Sequence, residues 1–252
     1  MKKPVALIFD VDGTLADTER EGHRVAFNRA FKEAGLDWEW SIPLYGELLK
    51  VTGGKERIQY FLDTVGKHLP RPARLDDFIP MLHVAKTAHY TRMLESGAIP
   101  LRPGVVRLLD EARSNGIRLA IATTTTPANV TALLINTLGA GSLDWFEVIA
   151  AGDVVPAKKP APDIYVFTLK QMGLEPHQCL AFEDSANGVR SALGAGLRTI
   201  VTINEYTAQE NFEGASLVID QLGDPGTPFR VIQGHDWGHG WVDVALLRKL
   251  CV

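Results

Sequence analysis

The chain has 252 residues, 46% of them apolar and 22% charged, an ordinary globular composition with material for one large domain or two modest ones. Its formal charge is −4 and no long basic run occurs, which argues against a general affinity for nucleic acid or a membrane surface. Cys179 and Cys251 are the only cysteines, too few for a metal-ligand spacing or a disulfide framework, so a reducing compartment is the default.

The opening MKKPVALIFD sets two lysines before an apolar run, but Asp10 and Asp12 end the run too early for a signal peptide. No 18-residue apolar span follows, so a cytoplasmic protein is expected, an organelle-processed mature form being compatible with the same chain. Residues 4–11, PVALIFDV, are apolar at successive positions and predict a strand buried on both faces. Asp10 and Asp12, two apart, would then point the same way at its end, with Gly13 for a sharp turn and Thr14 supplying a hydroxyl. A lone Asp-Gly pair would need no more explanation than the turn itself.

Residues 17–94 show helical patterns and no convincing strand. Ala26, Phe27, Ala30, Phe31 and Ala34 form one stripe closed by Gly35, and Ile58, Phe61, Leu62 and Val65 form another. An all-helical insert is expected there, the chain returning near residues 99–104. Placed just past a strand end that carries the chemistry, such an insert is a natural lid. Within it, VTGGKERIQ (residues 51–59) runs glycines, Gly54 included, into Lys55, Glu56 and Arg57, the makings of a small anion cup. It is not a nucleotide P-loop, because Glu56 follows the lysine and Leu49 stands where the first glycine would be. Glu19 and His23, four apart, share a helical face and could bond ligand hydroxyls or simply pair on the surface, and Tyr45 is a further candidate.

Strands are next expected at RLAIAT (118–123), FEVIAA (146–151), CLAFED (179–184) and RTIVTI (198–203), with helical patterns between them. This alternation predicts an α/β parallel sheet flanked by helices, whose ligands gather at the carboxyl ends of the strands. Thr123 offers a strand-end hydroxyl and Thr124 a backbone N–H, while Thr126-Pro127 reads as a helix cap followed by proline at the first helical position. In AKKPAPDIY, Lys159 precedes Pro160 and is held extended, either as a counter-charge to acids or as half of a solvated lysine pair. CLAFEDSANG ends its strand with Glu183 and Asp184. If that strand neighbours the first, four carboxylates converge and call for a divalent cation, all-oxygen ligation favouring Mg²⁺. The alternative is that Asp184 or Ser185 merely caps the next helix. The last 32 residues include HDWGHGW; His235, Asp236 and His239 there suggest a metal, but a packed aromatic turn and a terminal helix is the expected reading.

DVDGT after an apolar strand, a strand-end Thr, KKPAPDIY and EDSANG, in this order, resemble the haloacid dehalogenase superfamily of phosphotransferases over nearly all of the chain to about residue 220. The resemblance implies a Rossmann-like core from residues 1–16 and 97–252 with a helical cap from residues 17–96. It implies Asp10 as a nucleophile forming an aspartyl-phosphate, Asp12 as general acid then base, and Thr123 and Lys159 holding the phosphoryl oxygens. It further implies Mg²⁺ on Asp10, the Asp12 carbonyl and Asp184, with Glu183 ligating directly or through water. Haloacid dehalogenases proper lack the second aspartate, so Asp12 argues against dehalogenation.

Within the superfamily, DVDGTLADTE, YGELLKVTGGKERI, ATTTTPANV, IAAGDVVPAKKPAPDIY and EDSANGVRSA are most similar to the CbbY group of sugar-bisphosphate phosphatases. That group resemblance implies release of phosphate from a pentulose bisphosphate such as xylulose 1,5-bisphosphate, an inhibitor of Rubisco; a monomer whose partner is its small-molecule substrate is expected. Lys55 and Arg57 are then expected to grip the phosphate that is not cleaved, Arg bidentately and Lys as a point charge. A β-phosphoglucomutase-like phosphotransferase and a sugar monophosphatase remain alternatives on the same residues. A phosphonatase would use a lid lysine such as Lys55 for a Schiff base, but its charged neighbours speak for ion binding. A non-enzymatic regulator on this fold would be expected to lose a catalytic acid, and none is missing.

Overall fold

The computed structural model describes residues 4–51, 54–69 and 74–251. The chain forms two compact units, Met1–Asp17 with Pro100–Val252, and Thr18–Ile99.

The first unit is built on seven strands, β1 (Ala6–Phe9), β2 (Arg118–Thr123), β3 (Phe146–Ala151), β4 (Cys179–Glu183), β5 (Arg198–Thr202), β6 (Leu217–Ile219) and β7 (Val231–Gly234). Their order across the sheet is β3-β2-β1-β4-β5-β6-β7, all pairs parallel except β6 with β7. The chain works outward from β1 to β3 on one side and from β4 to β7 on the other. The order therefore reverses between β1 and β4, the switch point where open α/β sheets leave a crevice at the strand ends. β1 is shorter than its apolar run: it ends at Phe9, and Asp10 follows it with its N–H donating to Phe182 O at 3.0 Å. Strand alternation is thus not what aims Asp10 and Asp12, which lie in the turn beyond.

The second unit is helical, with no strand among its described residues. A π-helical turn (Thr18–His23) leads into α1 (Arg24–Glu33), then α2 (Ile42–Leu48), α3 (Gly54–Asp63) and α4 (Leu75–Glu95). Ala26, Phe27, Ala30 and Phe31 are buried along α1, which ends before Gly35 at φ 71°. Trp40 is fully buried among Phe27, Phe31 and Phe61 at ring separations of 4.5, 5.0 and 5.6 Å. Ile58, Phe61 and Leu62 bury the inner face of α3, but Val65 does not join them: the helix ends at Asp63 and Val65 is half exposed.

Around the sheet lie α5 (Val105–Ser114), α6 (Pro127–Leu138), α7 (Asp163–Met172), α8 (Ala186–Gly194) and α9 (Val244–Leu250). One sheet face, with Ala6, Ile8, Ala120, Ala122 and Ala181, packs on Ile164, Tyr165, Leu169 and Met172 of α7 and Ala192 of α8. Small residues on the strands let the helices approach; each large side chain buried there contributes about 1.5–3 kcal/mol. Thr126 caps α6 by accepting from Asn129 N, with Pro127 at the first helical position, as its sequence predicts.

The last 32 residues are part of this unit. The Arg107 guanidinium on α5 donates to Leu222 O, Gly223 O and Val242 O and bonds Asp224, while Glu111 accepts from Val244 N. The terminal helix, α9, is present, but the expected packed aromatic turn is not, because Trp237 is 42% exposed. His239 pairs with Asp243, and His235 accepts from Trp237 N. Among the described residues no helix is long and apolar enough to cross a membrane.

Candidate active site

At the switch point the strand ends bring distant residues together. Lys159 Nζ lies 2.7 Å from Asp10 Oδ1, 2.6 Å from Glu183 Oε1 and 2.9 Å from Ala122 O, so one ammonium links the ends of β1, β2 and β4. Its side chain is 8% exposed, which removes the solvated-lysine reading; Lys158 beside it is the solvated one, paired with Asp153. The Lys159-Pro160 peptide bond is cis. Tyr165, which closes the KKPAPDIY stretch, donates its hydroxyl to the same Glu183 oxygen. The helix-cap alternative at Asp184 is settled by its neighbour: Ser185 caps α8, accepting from Gly188 N at 3.2 Å. That leaves the Asp184 carboxylate to accept from Asn204 Nδ2 at 2.7 Å.

Asp10, Glu183 and Asp184 are all buried, and an oxygen from each lies within 4.8 Å of the others. Burial and the neighbouring acids push Asp184 well above the usual carboxylate range, against the opposing pull of Arg102 and Asn204. Burial likewise pushes Glu183 up to about 7, although Lys159 draws it down. Burial alone would lower the Lys159 pKa; Asp10 and Glu183 outweigh it and hold the ammonium charged. Tyr165 is raised well above its ordinary value by burial and by Glu183, so its hydroxyl stays a donor.

Three converging carboxylates with one adjacent ammonium are under-compensated, and Glu183 Oε2 is buried without a hydrogen-bond partner. An all-oxygen set short of positive charge fits a hard divalent cation such as Mg²⁺. Asp12 adds no carboxylate to this set; it opens the turn that bridges back to Ala16, and the resemblance assigns it a main-chain carbonyl. Two glycines make room for the acids. A Cβ on Gly13, at φ 80°, would lie 2.0 Å from Asp184 Oδ2, and one on Gly188 would lie 1.9 Å from Glu183 Oε2. Thr123 is buried at the end of β2, its hydroxyl accepting from Thr125 N at 3.3 Å, and Thr124 is exposed. No comparable acid cluster forms around His235, Asp236 and His239 among the described residues.

In the helical unit, Glu19, Tyr45 and Arg57 form one chain of hydrogen bonds. The Tyr45 hydroxyl donates to Glu19 Oε2 at 2.6 Å and accepts from Arg57 Nη1 at 3.0 Å. Arg57 also donates to Leu48 O and Val51 O and is 9% exposed, so it is an internal brace and not the open anion grip its sequence predicts. Lys55 is exposed; Gly54 begins α3 and packs on His83, which a Cβ there would meet at 2.6 Å; Thr52 and Gly53 of the expected anion cup lie outside the described residues. His23 bonds Lys86 at 2.8 Å and packs tilted against Tyr90, the ring centroids 3.9 Å apart. Burial, then Lys86 and Arg57, hold its pKa well below the usual histidine value, so the ring is neutral.

Residues 5–196 match the family model described as haloacid dehalogenase-like hydrolase. Over 244 residues the chain is 50% identical to the plasmid protein CbbY of Cupriavidus necator, covering 96% of this chain and 95% of that protein. It is also similar to the crystal structure of CbbY from Rhodobacter sphaeroides in complex with phosphate. The identity is 47% and the TM-score 0.71, with 86% of this chain and 94% of that one covered. A second similar structure is an Asp-to-Asn mutant of that CbbY in complex with xylulose 1,5-bisphosphate. Here the identity is 46% and the TM-score 0.71, with 88% and 98% covered. By its matched family model and these relatives, the chain belongs to the haloacid dehalogenase-like hydrolases.

Proposed function

We propose that the chain is a Mg²⁺-dependent phosphatase of sugar bisphosphates, with xylulose 1,5-bisphosphate as its substrate. The observation that carries the reading is the convergence of Asp10, Glu183 and Asp184 at the ends of β1 and β4, with Lys159 linking the first two. The substrate is suggested by the xylulose 1,5-bisphosphate complex of the R. sphaeroides protein.

In this mechanism Asp10 attacks the phosphorus of one phosphate ester, the P–O bond to the sugar breaks, and the leaving oxygen takes its proton from Asp12. A water then gives a proton to the Asp12 carboxylate and attacks the aspartyl-phosphate, releasing inorganic phosphate and restoring Asp10. Lys159 fixes the Asp10 carboxylate before attack, and with the Thr123 hydroxyl and Thr124 N–H it bonds the phosphoryl oxygens. Asp10, Glu183, Asp184 and the Asp12 carbonyl would hold Mg²⁺, which neutralises phosphoryl charge when bound. The sugar hydroxyls and second phosphate are assigned to the helical unit. Glu19, His23 and Tyr45 offer hydroxyl partners, Lys55 and Gly54 the anion contact, and Arg57 holds Tyr45 in place.

The test is phosphate release, with Mg²⁺ or with chelator, from xylulose 1,5-bisphosphate, xylulose 5-phosphate and β-glucose 1-phosphate. Mg²⁺-dependent release that strongly prefers the bisphosphate is expected. Equal rates on monophosphates would overturn the bisphosphate assignment, and formation of glucose 6-phosphate would favour a mutase.

A further inference from the structure

We propose that Asn204 is a positioning residue of the acidic centre, holding Asp184 Oδ2 in the orientation a bound divalent cation requires. The inference rests on the metal-centre reading above and concerns a residue outside every motif that points to the site.

Asn204 follows β5 by two residues. Its Oδ1 accepts from Tyr206 N at 2.9 Å and from Thr207 N at 3.2 Å, while its own N–H donates to the Thr207 hydroxyl at 3.0 Å. With the oxygen end of the amide committed to two backbone donors, the NH₂ end must face the other way. It faces Asp184, donating to Oδ2 at 2.7 Å. The carboxylate is thereby wedged: a Cβ on Gly13 would meet both Asp184 Oδ2, at 2.0 Å, and Asn204 Nδ2, at 2.9 Å.

The strand end that carries Asn204 is held by hydrogen bonds that do not pass through Asp184. The Arg102 guanidinium, part-buried, donates to Thr202 O and Ile203 O at the end of β5, to Asp220 O, and to Gly13 O in the nucleophile's turn. One planar cation thus ties the strand end that delivers Asn204 to the turn that abuts Asp184. Such outer partners of ligating carboxylates commonly change metal affinity by about 10–100-fold when removed.

The experiment is calorimetric titration of Mg²⁺ into the metal-free full chain, with thermal melts of the same proteins. Asn204→Ala is expected to weaken Mg²⁺ binding about 10-fold. Asn204→Ser keeps a short acceptor for the turn but cannot reach Asp184, and is expected to weaken binding as much. Thr207→Val removes the turn's hydroxyl without touching Asp184, and is expected to lower the melting temperature while leaving Mg²⁺ affinity unchanged. Wild-type affinity in either Asn204 variant, or an equal loss in Thr207→Val, overturns the inference. Asp184→Asn separates the two levels. If it binds Mg²⁺ as wild type does, the metal-centre reading falls and the inference with it; if it loses binding while Asn204→Ala does not, only the inference falls.

Discussion

Lys159 Nζ lies 2.7 Å from Asp10 Oδ1, joining two side chains 149 residues apart in the chain. The contact is almost dry on both sides, at 8% and 9% side-chain exposure, and the same ammonium reaches Glu183. Lys159→Met keeps the bulk and removes the charge, so Asp10 loses its anchor and the acids lose their only adjacent ammonium among the described contacts. Phosphate release is predicted to fall about 10²–10³-fold, the scale of removing one preorganised electrostatic partner. Steady-state rates on a single substrate check it; a loss under about twofold would deny Lys159 that role.

Gly188 has no chemistry of its own, yet a Cβ there would lie 1.9 Å from Glu183 Oε2. Gly188→Ala must push that carboxylate away from Lys159 and Tyr165. Both the melting temperature and Mg²⁺-dependent activity are predicted to drop. Gly141→Ala is the control, since nothing lies within 4 Å of its added Cβ. It is predicted to leave activity unchanged, and matching losses in the two variants would mean the Gly188 contact is not responsible.

Tyr45 joins Glu19 to Arg57 in the helical unit. Tyr45→Phe strips the shared hydroxyl and leaves the acceptor on Glu19 and the donor on Arg57 without it. A stability loss of about 1–3 kcal/mol is predicted from urea unfolding. Because Arg57 is an internal brace, Arg57→Ala is predicted to lower stability as well as turnover. An Arg57→Ala protein with unchanged urea midpoint would return Arg57 to the role of an open anion grip.

His23 gives a pH prediction with a definite sign. Its folded-state pKa is held well below the usual value, so the unfolded chain binds more protons and stability is lost as pH falls below about 6.5. His23→Gln can still accept from Lys86 but does not titrate. Melting curves of the two metal-free proteins between about pH 7 and 5.5 are predicted to converge toward the acid end. Glu183, pushed up, favours the folded state as pH falls over part of that window, but it is common to both proteins and cancels in the difference. A pH-independent difference would show that His23 binds protons equally in the folded and unfolded chain, so that folding does not lower its pKa.

Most of the core was legible in the chain because its signals are local. Strands β2 and β3 coincide with their apolar runs, and the acids at the ends of β1 and β4 follow directly on theirs. The partners of those acids were not legible. Asn204 meets Asp184 from 20 residues away, and Arg102 meets Gly13 from 89; neither contact leaves a periodic trace in sequence. Lys86 was hidden in the same way, 63 residues from His23 and looking like any helix lysine. Arg57 misled because a basic residue after glycines suggests an anion, and only its burial shows that its donors are already committed. β6 and β7 were missed because one is three residues long and the other is a largely exposed edge strand without an apolar run.

In the proposed mechanism Asp10 performs the chemistry of the acidic centre. Phosphate release from xylulose 1,5-bisphosphate with Mg²⁺, by wild type and by an Asp10→Asn protein of equal melting temperature, tests it most directly. Turnover by wild type and a loss of at least about 10³-fold in the variant are expected, since no carboxylate remains there to attack phosphorus. An Asp10→Asn protein that keeps a substantial fraction of wild-type turnover would contradict it.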